Sequence, residues 1–513
     1  MKTLLALSAL LVGATALSSA PATKPNILYI LADDMGVGDV SALNPQSAWK
    51  TPHLDRLARE GMAFTDAHSA SGVCTPSRYT LLTGRYSWRS KMKKGVLQGY
   101  SPALLEPGRV TVAEFLRRQG YATAAVGKWH LGLDWAKTGP QPEDVDFTKP
   151  FANGPRAHGF ERFFGISASL DMPPYVWLRD DRATSVPTGT IGDSPAPKLW
   201  RGGPIAADFK MEDVQTRFTD ESIAFIDAHA AARDGRPFFL YVPLASPHTP
   251  VLPTGKFDGL TRTTPYGDFV AQVDADIGRL LAALDRHGLA SNTLVIFTAD
   301  NGFAPPGGLE ALKKIGHDPS AGFRGYKADV FEGGHRVPFL ARWPGVTPAG
   351  TRCAETIGQL DLFATCAEIL GAKLPADTAE DSVSFLGLLR GQNAPRAASL
   401  VNHSADGEFA IRDGKWKLIL HPGSGGWSAP TATPSQWLPV PKADLSKLPP
   451  FQLYDLAADP AETKNLAAVH REVVQRLGRA MRELIERGRS TPGAPQANAG
   501  GPWPQTAWME KFK

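Results

Sequence analysis

Four short apolar runs, each ending in polar residues, constrain this chain more than any other feature. Asn26–Leu31 is followed by Asp33-Asp34, and Tyr121–Val126 by Gly127-Lys128-Trp129-His130. Phe238–Leu244 leads to Ser246-Pro247-His248, and Thr293–Thr298 to Asp300-Asn301-Gly302. Runs this continuously apolar predict strands of a sheet covered on both faces. Between them, Val110–Arg118 and Val270–Asp285 carry apolar residues at helical spacing. The alternation predicts an α/β fold, a large, mostly parallel central sheet sandwiched by helices. Sites in such sheets form beyond the carboxyl ends of the strands. Four strand ends therefore deliver Asp, Lys, His and Asn to one rim.

The rest of the chain has a different texture. Pro187–Pro204 is crowded with Pro, Gly and polar residues and reads as a long surface loop. After about residue 395, Phe409–Leu420 reads as a hairpin turned near Asp413-Gly414, and Gln452–Leu456 as a further strand. Ala468–Arg487 reads as one amphipathic helix with Val469, Val473, Leu477, Met481 and Leu484 on its apolar face. The Pro- and Gly-rich tail from Gly488 is expected to wrap the surface or to be disordered. The expected division is a leader at 1–20, a catalytic domain at 21–395 and a smaller α+β domain at 396–513, carrying a short antiparallel sheet and a helix.

Residues at the start bear on location. Lys2, the apolar stretch Leu4–Leu17 and the small residues Ser18-Ser19-Ala20 have the pattern of a secretory signal peptide. The expected location is a periplasm, the outside medium or a secretory lumen. No later stretch reaches the ~18 apolar residues a membrane helix needs. A net charge of +4 gives no reason to expect nucleic acid as a partner, while scattered basic residues suit an anionic substrate.

Three cysteines, Cys74, Cys353 and Cys366, leave at least one unpaired or modified. Cys353 and Cys366 can pair or stand as buried thiols, so Cys74 is the odd one out. It lies in Ser71-Gly-Val-Cys74-Thr75-Pro76-Ser77-Arg78, which runs on to Leu82-Thr83-Gly84. Pro76 is expected to open a helix, where its missing N–H costs nothing. That puts Cys74 at a helix N-terminus, where free N–H groups favour negative charge. Arg78, four residues on, returns towards Cys74. A buried cysteine beside a capped helix explains the same residues.

The pairs Asp33-Asp34 and Asp300-Asn301 offer hard oxygen ligands, which suit Ca²⁺ or Mg²⁺ rather than zinc. Such a pair after a strand also serves as a helix cap. Lys128 and His130, two apart on an extended segment, can face one anion together. Asn402-His403-Ser404 fits an N-glycosylation acceptor.

Taken together, the segment from Cys74 to Gly84 resembles the signature of the formylglycine-dependent (type I) sulfatases, Cys-x-Pro-Ser-Arg followed by Leu-Thr-Gly. Gly127-Lys-Trp-His-Leu-Gly132 is similar to the second sulfatase motif, Ser246-Pro-His-Thr-Pro250 to the segment of a further active-site histidine, and Phe323–Pro338 to a late lysine segment. The resemblance covers nearly the whole chain from residue 24. It implies an alkaline phosphatase-like fold and hydrolysis of sulfate esters. It implies that a formylglycine-generating enzyme oxidises Cys74 to formylglycine, and that Asp33, Asp34, Asp300, Asn301 and the modified Cys74 surround one calcium, with magnesium the less favoured ion. One hydroxyl of the hydrated aldehyde then attacks sulfur and the other expels sulfate from the sulfo-enzyme. The same resemblance implies that Arg78 stabilises the attacking oxygen, that Lys128 and Lys327 hold sulfate oxygens, and that His248 is the acid for the leaving oxygen and His130 the base that collapses the diol, two histidine roles that can be partly exchanged. Ser169, in Gly165–Asp171, is the polar residue placed near sulfate, or a simple loop serine; Glu332–Arg336 shape a turn.

Two other functions compete: a phosphonate monoester or phosphodiester hydrolase of the same superfamily, and a non-catalytic calcium- or glycan-binding protein with Cys74 unconverted. For the substrate, Tyr175, Trp177 and Arg179–Arg182 suggest a sulfated sugar, with aryl sulfates as promiscuous substrates; Asp171 is a residue that can face it.

Overall fold

In the computed structural model, residues 24–500 and 503–513 are described; the leader-like segment at 1–20 lies outside them. Ten strands form the main sheet. Its centre is five parallel strands, in the spatial order Thr293–Ala299, Asn26–Asp33, Phe238–Pro247, Ala122–Lys128 and Arg162–Ile166. Four of them are the apolar runs of the sequence, and Asn26–Asp33 is buried along its whole length. In register, Leu28 lies between Leu240 and Val295. Antiparallel partners extend both edges, Phe339–Arg342 beside Thr293–Ala299 and Leu178–Arg179 beside Arg162–Ile166.

Helices cover the sheet in two groups. Pro52–Glu60, Val214–Ala232 and Pro265–Arg286 pack together, and Cys74–Thr83, Val112–Arg118 and Leu362–Ile369 form the other group. A second, four-stranded antiparallel sheet orders Leu400–His403, Phe409–Asp413, Trp416–Ile419 and Gln452–Asp455, and the helix Arg471–Arg487 packs on its middle strands. Among the described residues, no helix is long and apolar enough to cross a membrane.

Several local expectations change. The late helix starts at Arg471 rather than Ala468, because the chain is still turning at Val469, which is 71% exposed. Its buried face is Val474, Leu477, Met481, Leu484 and Ile485. The region Pro187–Pro204 is not a plain loop: Gly189–Ile191 pairs with Gly203–Ile205. The tail does wrap the surface, with Ala497 and Ala499 carbonyls accepting from Arg85 and Lys93. All three cysteines are free thiols. Asn402 is no glycan acceptor in this fold, since it is 2% exposed and its amide donates to the Ser69 carbonyl at 2.6 Å.

Candidate active site

The rim beyond the parallel strands gathers the expected residues from distant parts of the chain. Cys74 is the first residue of the helix Cys74–Thr83, every residue of which is buried. Pro76 is third rather than first, still within the turn whose N–H groups lack helical acceptors. The helix ends at Gly84, whose φ of 62° is a left-handed conformation that glycine adopts without strain.

Six charged side chains interlock here. Lys128 Nζ donates to Asp33 Oδ2 at 2.6 Å, and Lys327 Nζ lies 2.7 Å from Asp34 Oδ1. Arg78 grips Asp300 Oδ2 through Nε (2.9 Å) and Nη2 (2.7 Å), and donates from Nη1 to the Lys128 carbonyl at 2.9 Å. Its fork is therefore spent on holding Asp300 and the Lys128 strand end. Three carboxylates and three cations balance one another. Burial alone would raise Asp33, but Lys128, His248, Arg78 and Lys327 hold it well below the usual carboxylate range. Asp300 goes the other way, raised by burial and by Asp33 against the pull of Arg78.

Burial pushes the Cys74 thiol up to about 11, in spite of Lys128 and Lys327. A thiol that high is protonated at neutral pH and is a weak nucleophile. His130 is held well below its ordinary value by burial and by the cations Lys128 and Arg78. Its Nε2 meets the Leu97 carbonyl at 2.8 Å, which assigns the proton to Nε2 and leaves Nδ1 as the basic nitrogen. That Nδ1 is buried with no partner among the described residues. His248 donates from Nδ1 to the Thr249 carbonyl, with Nε2 3.4 Å from Asp34 Oδ2. Ser169 Oγ lies 3.1 Å from Lys128 Nζ and 3.4 Å from His248 Nδ1, within this cluster of side chains.

The residues present fit a hard divalent cation. Ligand atoms of Asp33, Asp34, Cys74 and His248 lie within 4.8 Å of one another. Asp33 Oδ1 and Asn301 Oδ1 are buried acceptors with no hydrogen-bond partner among the described residues, and buried orphan oxygens call for an ion or water. Asp300 stands one step back: its Oδ2 is held by Arg78, while its Oδ1 receives the Asp34 N–H at 3.3 Å. Asp34 has a φ of 61°, unusual for a non-glycine residue and typical of strained functional positions.

A family model for the sulfatases matches residues 25–372. The chain belongs to the sulfatase family. It is 34% identical to an N-acetylgalactosamine-6-O-sulfatase of Bacteroides thetaiotaomicron, over 90% of this chain and 93% of that one. It is 36% identical to bovine arylsulfatase A, over 92% and 89%. A solved structure from a study of glycosaminoglycan metabolism by Bacteroides thetaiotaomicron superposes with a TM-score of 0.78 at 33% identity, covering 90% of this sulfatase and 99% of that chain.

Above Cys74 opens a cavity of about 260 Å³ that reaches Asp34, Ser169, His248 and Lys327. Its aromatic walls are Trp427 and Trp437. The aromatic residues that drew notice in the sequence point elsewhere: Tyr175 and Trp177 are buried, and Trp177 packs on Phe164 and Phe209 at 5.3 and 4.6 Å. Arg179 pairs with Glu221 on the surface. Trp427, Trp437 and Arg201 were missed. One signal was available, Gly425-Gly426 before Trp427: a Cβ on Gly426 would meet the Ala328 carbonyl at 2.4 Å, so only glycine lets this loop close against the Lys327 segment.

Proposed function

We propose that this sulfatase removes sulfate from a carbohydrate, with Cys74, matured to formylglycine by a dedicated enzyme, as the nucleophile. Sulfate ester hydrolysis is the activity of the family to which the chain belongs. One observation carries the assignment to Cys74: it is the buried first residue of its helix, its neighbours are Lys128 and Lys327, and His248 lines the same cavity. When converted, the residue supplies a hydrated aldehyde in place of a protonated thiol. A divalent cation, calcium before magnesium, is read from the orphan oxygens of Asp33 and Asn301; when bound, it supplies positive charge beside the nucleophile and the sulfate.

The chain's own side chains take the other parts. Lys128 and Lys327 bind sulfate oxygens and offset charge that grows in the transition state. His248, in the cavity, protonates the leaving oxygen, and neutral His130 takes up a proton at Nδ1. Arg78 fixes Asp300 and the strand end that carries Lys128, and Ser169 holds Lys128 Nζ in place. Asp33, Asp34, Asp300, Asn301 and Cys74 form the ion's surroundings.

The carbohydrate reading draws on relatives named as N-acetylgalactosamine 6-sulfatases, one bacterial at 34% identity and one from mouse at 31%. Export rests on the leader pattern of residues 1–20, and a division near residue 396 on the separate sheet that begins at Leu400. The test is release of inorganic sulfate from defined sulfated mono- and disaccharides. Release from 6-sulfated N-acetylgalactosamine is expected; turnover confined to aryl sulfates would remove the carbohydrate reading.

A further inference from the structure

The cavity above Cys74 has one wall that the sulfate chemistry leaves unused. Asp171 lines it, although only 5% of the residue is exposed. Its Oδ2 accepts from Arg201 Nη1 at 2.7 Å, while its Oδ1 is buried with no hydrogen-bond partner among the described residues. Arg201 is fixed by its backbone: its N–H donates to the Asp171 carbonyl at 3.0 Å, and its own carbonyl accepts from Tyr175 Oη at 2.5 Å. The Arg201 side chain is 54% exposed, and its Nε and Nη2 have no hydrogen-bond partner among the described residues. Ser169, two residues before Asp171, contacts both Lys128 and His248. Asp171 and Arg201 line the same cavity as Cys74, His248 and Lys327.

An unpartnered buried carboxylate oxygen discriminates between leaving groups. A ring that lacks a hydroxyl leaves this oxygen unpaired, a cost the free site already carries. A ring hydroxyl satisfies it. Sites built to hydrogen-bond a hydroxyl reject analogues lacking one far better than apolar sites reject the converse. The remaining walls, Met172, Leu199, Trp427 and Trp437, suit the apolar face of a sugar ring. The volume of about 260 Å³ falls below the roughly 300–1,000 Å³ of sites for drug-sized ligands and has room for one ring.

We propose that Asp171, held by Arg201, is the specificity-determining acceptor for a hydroxyl of the sugar ring that carries the sulfate. This rests on the carbohydrate reading above and adds the residue pair that enforces it.

The test measures kcat/KM on 6-sulfated N-acetylgalactosamine and on 4-nitrophenyl sulfate for wild type, Asp171→Ala and the isosteric Asp171→Asn. The ratio of sugar to aryl ester is expected to fall about tenfold or more in Asp171→Ala, with partial recovery in Asp171→Asn, which keeps a neutral acceptor. Circular dichroism checks folding, and the Asn variant keeps the test decisive if the Ala variant is unstable. A ratio within about twofold of wild type in both variants overturns the assignment of Asp171 alone. Wild-type enzyme that cleaves the aryl ester but no sulfated monosaccharide overturns the carbohydrate reading, and this assignment with it.

Discussion

Lys417→Met should unseat the small sheet from the sulfatase core. Lys417, on the strand Trp416–Ile419, reaches Glu332 Oε1 and Glu462 Oε1 at 2.9 Å each, with all three side chains at most 1% exposed. Glu332 keeps another cation, Arg336 at 2.8 Å. Among the described residues, Glu462 keeps only the Glu332 N–H at 2.7 Å. Removing the ammonium thus strands a buried carboxylate, for which about 3–5 kcal/mol is the usual loss. The loss depends on pH. Burial and Glu332 raise Glu462 above its ordinary value even with Lys417 present, and more so without it. A raised folded value means that the folded state keeps a proton that the unfolded state has released, so stability falls as pH rises. The variant's defect should therefore be larger at pH 8 than at pH 6, measured by urea unfolding followed by circular dichroism and tryptophan fluorescence. Adding Glu462→Gln should recover much of it. A loss under about 1 kcal/mol at pH 8, the size of an exposed pair, would refute the reasoning.

Two further outcomes concern the site. Cys74→Ala should abolish turnover while leaving the circular dichroism spectrum unchanged; retained activity would exclude Cys74 as the nucleophile. Calcium added to chelated enzyme should stabilise it by about 2.7 kcal/mol at a hundredfold excess over Kd, and the effect should shrink in Asp34→Asn; no shift in thermal unfolding with either calcium or magnesium would contradict the cation site.

The central sheet and the site were legible because their signals are local. A strand such as Asn26–Asp33 and the acids at its end sit in one contiguous stretch, and parallel register brings such ends together. The Cys74 segment was legible for the same reason. The pocket wall was not: Arg201, Trp427 and Trp437 reach the cavity through loops whose docking depends on distant partners, such as Gly426 against Ala328. Tyr175 and Trp177 misled because nearness in sequence to a motif says nothing of direction, and their rings are committed to Phe209 and Phe164. Val469 misled because helical spacing continued past the turn in which the helix begins. Arg78 lies at the rim beside Lys128, and only its geometry reveals that its fork is occupied by Asp300.

Initial rates of wild-type enzyme, co-expressed with a formylglycine-generating enzyme and supplied with calcium, on 4-nitrophenyl sulfate and on the matching phosphate ester at equal concentration test the central claim most directly. The sulfate ester should be cleaved faster by orders of magnitude. A faster phosphate ester would contradict the account and restore the phosphonate or phosphodiester hydrolase.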